Sequence, residues 1–237
     1  LDPVNACNLR CQMCYYSDRE YAKKIRGRFS AEELDRIQNL FFDKAVQLVV
    51  GCGSEPTLHK DYVNIIRQGR ESGIPFVGLT TNGQLITKHD LEQLVSVGLN
   101  EITISTHGVH RHTYEKFMAG ASYQKLLTLL EMLDEIKSHY NTPYPTLRLN
   151  YTTNPENLDE LEDFFSVYGQ FNIDTIQLRP MVDVGNTSYA YESMGKEILT
   201  NYYFRIQQIR EECKKRHITC LSTSADPNFK NFDKVIE

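Results

Sequence analysis

Three cysteines within eight residues, Cys7, Cys11 and Cys14, are spaced C-x3-C-x2-C near the start of a chain of 237 residues. Thiolates at that spacing hold three irons of a four-iron cluster. They are one short of the four protein ligands that such a cluster, or a structural zinc, ordinarily takes. An open metal position is where an outside molecule coordinates, which marks a reactive centre rather than a closed structural one. The chain has six cysteines, and their clustering at one end favours metal binding in a reducing compartment over a disulfide framework.

Positioning those thiols falls to an alternation of helices and strands. Residues 15 to 29 lack a clean period and are expected to form a polar loop. Ser30 and Glu33 make a capping box ahead of Leu34, Ile37 and Phe41, so a helix starts there. Val46 to Val50 is rich in β-branched residues and ends in Gly51-Cys52-Gly53, a strand running into a tight turn. The pattern repeats: a helix opened by Asp61 and stopped at Gly73, then a strand Phe76 to Leu79; a helix opened by Thr87 and Asp90 and ended at Gly98, then a strand Glu101 to Ser105. A long helix carries Leu126, Leu129, Leu130, Leu133 and Ile136 and leads to the strand Thr146 to Asn150. Asn154 and Pro155 open a helix bearing Leu158, Leu161, Phe164 and Phe165; Thr175 to Leu178 is a strand, residues 195 to 216 a helix, and Ile218 to Leu221 a last strand. Such strand-helix units without an interposed hairpin argue for a parallel α/β sheet or barrel, whose ligands lie at the carboxyl ends of the strands.

With the cysteine spacing and the strand order together, the chain resembles the radical S-adenosylmethionine (SAM) superfamily. Its hallmark is C-x3-C-x-φ-C at the end of the first strand of a partial (β/α)6 TIM-like barrel. The resemblance covers nearly the whole chain and implies one core domain over residues 1–237. By it, Cys7, Cys11 and Cys14 ligate a 4Fe-4S cluster, Met13 fills the φ position near the adenine of SAM, and the amino and carboxylate groups of SAM chelate the fourth iron. Gly51 to Pro56 looks like the family's Gly-Gly-Glu-Pro motif: Gly53 and Ser54 present backbone to SAM, and Glu55 accepts from its ammonium. Asn82, in Thr80-Thr81-Asn82-Gly83, lines the cofactor cavity, and Ser105 and Asn150 are polar strand-end positions facing the ribose or carboxylate of SAM. One departure stands out. Met118 occupies the place of an arginine that pairs with the SAM carboxylate in many peptide-modifying members, so Lys116, Arg179, or Ser105 with backbone donors takes that role.

The activity implied is reductive cleavage of SAM to a 5′-deoxyadenosyl radical, driven by a flavodoxin- or ferredoxin-type electron donor and followed by hydrogen abstraction from a substrate. The loop wording is similar to that of peptide- and protein-modifying members with a SPASM or twitch extension. No such cysteine-rich extension appears before Glu237. Either the chain is trimmed ahead of one, or it is a stand-alone core acting on a small molecule or activating a glycyl-radical partner. The rival from another class is a non-catalytic module binding zinc or an inert cluster.

The remaining candidates carry less. His107, His110 and His112 are expected as solvated loop histidines, Cys52 as a bystander, and Cys213 and Cys220 as buried thiols. Arg179 and Asp183 face substrate or form a structural ion pair. A hydrophobic fraction of 41% and a charged fraction of 24% are those of a globular protein. With no apolar run of membrane-span length and no signal peptide, a cytoplasmic protein without a membrane partner is expected. Leu1 in place of Met indicates a trimmed start. A net charge of -5, with basic residues dispersed apart from the runs Lys23 to Arg28 and Lys214 to Arg216, argues against a nucleic-acid partner, and those runs are expected as solvated faces.

Overall fold

In the computed structural model, residues 1–182, 187, 189 and 196–222 are described. Asp183, and the end of the loop running to Gly185, lie outside them. Strand β1 (Val4–Asn5) precedes the cysteine loop, which leads through a 3-10 turn (Tyr15–Ser17) into α1 (Arg19–Lys24) and β2 (Gly27–Arg28). There follow α2 (Ala31–Phe41), β3 (Gln47–Val50), α3 (Tyr62–Glu71), β4 (Phe76–Thr81), α4 (Lys88–Ser96), β5 (Glu101–Thr106), α5 (Arg111–Phe117), α6 (Tyr123–His139), β6 (Thr146–Thr153), α7 (Phe164–Tyr168), β7 (Thr175–Pro180), α8 (Lys196–Lys215) and β8 (Thr219–Ser222).

Strands β3 to β8 form one sheet in sequence order, every neighbouring pair parallel. The sheet is the open, partial TIM-like barrel expected. Capping boxes open α2 and α4, with Ser30 and Thr87 accepting from the backbone of Glu33 and Asp90. One face of the sheet carries the core: Val50, Leu79, Ile104, Leu149 and Leu178 are all buried, against helical residues such as Ile66, Leu94, Leu126, Leu130 and Ile206. The alternate residues on the other face are mostly polar. Register sets Thr80, Thr103, Arg148 and Thr175 in one row across four strands, and Ser105, Asn150 and Gln177 in the next. This polar inner face, reached from the carboxyl ends, is where the barrel can hold ligands.

Three expectations need correction. Residues 15 to 29 are not one loop: Asp18 accepts from Glu20 N and Tyr21 N and so caps the six-residue α1, a helix too short to show a period. The parallel sheet is accompanied by an antiparallel ribbon, β1 with β2, which brackets the cysteine loop. The stretch opened by Asn154 is not one helix. The Asn157 side chain accepts from Asn154 N and donates to the carbonyls of Thr152 and His107, so the chain turns tightly there before a 3-10 segment (Asp159–Asp163) and α7. Among the described residues no helix is long and apolar enough to cross a membrane.

Candidate active site

The cysteine loop is held from several sides. The backbone of Leu1 runs along the edge of β3, bonding to Val49 O at 2.7 Å and accepting from Gly51 N at 2.9 Å, which brings Ala6 O within 2.9 Å of Glu55 N. On the other side, Arg10 N and Gln12 N donate to the carbonyls of Ala119 and Phe117. From the end of β4, Asn82 Nδ2 donates to Asn8 Oδ1 at 2.9 Å and approaches Cys7 Sγ at 3.8 Å, while Leu9 N approaches the same sulfur at 3.4 Å.

The thiols sit where N–H groups meet sulfur in poor contact with water. Burial pushes the Cys7 thiol up to about 11, the Glu55 and Cys14 charges adding to it and the Leu9 N–H opposing. Cys11 and Cys14 are also raised, first by burial. Thiols in this state are protonated near neutral pH, and loading a metal must displace their protons. Among the described residues no three His, Cys, Asp or Glu side chains converge on a single metal ion. A four-iron cluster takes each thiol on a different iron, so its ligands need not converge. The donor set therefore fits such a cluster.

Glu55, 2% exposed, ties the loops together. Its Oε1 accepts from Thr57 N, Thr57 Oγ1 and Thr81 Oγ1, and its Oε2 from Asn82 N at 2.8 Å. Oε2, with that one donor, retains acceptor capacity. Gly53 and Ser54 are fixed from outside: Asp2 Oδ1 accepts from the backbone N–H of Cys52, Gly53 and Ser54 and from Ser54 Oγ, and Tyr15 Oη donates to Gly53 O. Burial alone would raise the Asp2 carboxyl, yet the bonds from Cys52, Ser54 and Gly53 hold it below the usual carboxylate range. Asp2, Asn8, Tyr15 and Thr81 are positioning residues that the sequence reading missed. An acid two residues into the chain carries no local motif pointing to a loop fifty residues on.

The other sites divide. Met13 Sδ lies 3.3 Å from Asn154 Nδ2 at the end of β6. Ser105 and Asn150 stand side by side across β5 and β6, and Asn150 Oδ1 is buried with no partner among the described residues. Met118 is in the core, 1% exposed, and so does not face the site. Lys116 pairs with Glu156, whereas Arg179 stands exposed beyond Thr152 in register. The three histidines diverge: His107 is half-buried with a covered Nδ1, His110 pairs with Asp163 at 3.0 Å, and His112 is exposed on α5. Cys52 is exposed; Cys213 and Cys220 neighbour one another at α8 and β8, the far edge of the sheet from the cysteine loop.

Comparison with known proteins bears on this arrangement. The model of the radical SAM superfamily matches residues 1–168. The chain belongs to the radical SAM superfamily. Members carry a 4Fe-4S cluster and SAM. A probable GTP 3′,8-cyclase of Saccharolobus islandicus is 25% identical over 214 residues, covering 90% of this chain and 66% of the cyclase, and that of Saccharolobus solfataricus is 26% identical over the same length. Among solved structures, Streptococcus suis SuiB bound to S-adenosylmethionine has a TM-score of 0.75 at 18% identity, covering 98% of this chain and 53% of SuiB. The protein anSMEcpe with bound AdoMet and Cp18Cys peptide has a TM-score of 0.70 at 15% identity, covering 93% of this chain and 61% of the other. These structures show the shared fold. This radical SAM chain spans just under two thirds of the cyclases' length and about half of SuiB's.

Proposed function

We propose that this radical SAM enzyme abstracts hydrogen from a peptide or protein held over the inner face of the sheet. When bound, the cluster and SAM supply one-electron cleavage of a carbon–sulfur bond, leaving methionine and a 5′-deoxyadenosyl radical that takes a hydrogen atom. In this reading Cys7, Cys11 and Cys14 ligate three irons, with Leu9 N and the Asn82 amide donating toward the Cys7 sulfur. Glu55 Oε2 accepts from the SAM ammonium beside the carbonyls of Gly53 and Ser54. Met13 packs on the adenine, while Ser105 and the buried acceptor of Asn150 serve the ribose or carboxylate. The observation that carries the reading is the hydrogen-bonded run from Cys7 through Asn82 to Glu55, which joins the thiol loop to the ends of β3 and β4.

The substrate assignment rests on the unclosed sheet. Beside Ser105 and Asn150, which serve SAM in this reading, its inner face carries the partly exposed hydroxyl of Thr80 and amide of Gln177, while Arg148 is held by Glu101 at 2.9 Å; such polar groups suit the amides of an extended chain. SuiB, also solved with precursor peptide SuiA, and anSMEcpe share this fold. The likeness to GTP 3′,8-cyclases favours a second reading, a nucleotide substrate.

One experiment tests both levels. The protein is reconstituted anaerobically with iron and sulfide, reduced with dithionite, and assayed for 5′-deoxyadenosine in the presence of a synthetic peptide library or of GTP. Wild type is expected to form 5′-deoxyadenosine and to change the mass of library peptides, and Cys11→Ser to form none. Undiminished turnover by a well-folded Cys11→Ser protein would sink the cluster assignment. SAM-dependent consumption of GTP, with the peptides untouched, would replace the peptide reading with the nucleotide one.

A further inference from the structure

We infer that the groove between the cysteine loop and α1 is the docking face for an acidic one-electron donor protein; this rests on the radical SAM reading above. The groove has a volume of about 570 Å3 and is lined by Cys7, Arg10, Tyr16, Arg19, Lys23 and Arg26, among others. Its wall is therefore a proposed cluster ligand, and four cationic side chains stand around it.

The charge is concentrated here against the trend of the molecule. From Arg10 to Arg28 the chain holds six basic residues, Arg10, Arg19, Lys23, Lys24, Arg26 and Arg28, and two acidic ones, Asp18 and Glu20, in a protein whose net charge is -5. The two acids are engaged locally: Asp18 caps α1 and Glu20 pairs with Lys23 at 2.8 Å. Arg10 Nη1 donates to the carbonyls of Cys7 and Leu9, which pins its guanidinium to the cysteine loop. Arg19, Lys24 and Arg26 are exposed and have no ion-pair partner among the described residues. The β1–β2 ribbon folds Gly27 and Arg28 back on Asn5 and Val4, so the exposed basic run lies beside the entrance to the cysteine loop.

A cluster among these half-buried thiols receives an electron from a donor that comes close to a ligand, and this groove is lined by Cys7. In the step itself the donor gives up one electron, which the oxidised cluster accepts, with no bond made or broken. A compact basic patch raises the encounter rate of an acidic partner and orients it, and electron-transfer contacts are among the small ones, which a local patch can serve. A nucleic acid would meet this patch and then a molecule of net negative charge around it, which disfavours extended binding.

The test uses cluster-loaded protein and the variant Arg19→Glu/Lys23→Glu/Arg26→Glu, with Lys214→Glu/Lys215→Glu/Arg216→Glu as a control for charge placed elsewhere. The rate of 5′-deoxyadenosine formation is measured with dithionite and with an acidic flavodoxin kept reduced by its reductase, at low and high salt. The first variant is expected to keep its dithionite-driven rate within twofold, to lose at least tenfold with flavodoxin at low salt, and to lose the salt dependence of wild type; the control should match wild type. A flavodoxin-driven rate unchanged by the first variant overturns the inference, as does an equal loss with both reductants. Loss of peptide-stimulated turnover with dithionite alone would assign the groove to an acidic substrate segment instead. Absence of product from wild type with dithionite would overturn the radical SAM reading itself, a separate outcome.

Discussion

Gly51 has φ of +82°, and a Cβ added there would lie 2.4 Å from Thr80 O and 2.6 Å from Pro56 Cγ. Two penalties coincide: the left-handed backbone, at about 1–2 kcal/mol for a residue with a side chain, and a clash with backbone that cannot swing away, at about 1–3 kcal/mol. Gly51→Ala is expected to lower stability by about 3 kcal/mol and the melting temperature by roughly 6–12 °C, measured by thermal unfolding. The motif was legible in the sequence, but the weights within it were not. Similarity directs attention to Gly53, Ser54 and Glu55 as ligand contacts, whereas Gly51 is the glycine that the backbone requires. Glu55 spends most of its acceptor capacity on Thr57, Thr81 and Asn82 before any ligand arrives. Spacing along a chain reports which residue types are present; it does not report how many of their lone pairs are already taken.

At the scale of elements, Asn157 holds the turn after β6. It is fully buried, donates to His107 O at 3.0 Å and Thr152 O at 2.9 Å, and accepts from Asn154 N at 2.7 Å. Asn157→Ala leaves three backbone groups unpartnered at about 1 kcal/mol each, so a loss of roughly 3 kcal/mol is expected in denaturant unfolding. A loss below about 1 kcal/mol would mean that water replaces the amide. The sheet strands were legible as short apolar runs set between helix caps and turn residues, and the capping box of Ser30 and Glu33 formed as written, while Thr87 and Asp90, read only as a helix start, form a second one. The short helices were not: α1 has six residues and α5 has seven, too few for a repeating apolar stripe to appear. Strands β4 and β6 also run further than their hydrophobic runs, to Thr81 and Thr153, since threonine continues a ladder whose apolar signal has ended.

For the molecule as a whole, His107 couples stability to pH. Burial pushes it down to about 4, against a small opposing contact with the Thr106 backbone. The unfolded chain, with an ordinary histidine near 6.5, binds a proton that the fold refuses. This contribution is complete above about pH 6.5 and is lost as pH falls toward 4. Between pH 7.5 and 5, wild type should lose roughly 2 kcal/mol more than His107→Gln in SAM-free protein, read by denaturant titration; parallel losses would show that the imidazole is hydrated. The sheet's two faces have a wider consequence. Folding free energy is drawn from one side, where Leu79, Ile104, Leu149 and Leu178 are packed at 0–1% exposure. Thr80 and Gln177 lie only partly covered on the opposite face. Selection can therefore rewrite Thr80 or Gln177 without unfolding the scaffold and without touching Ser105 and Asn150, the positions assigned to SAM, so a lineage can acquire a new substrate while its core and cofactor seat stay as they were.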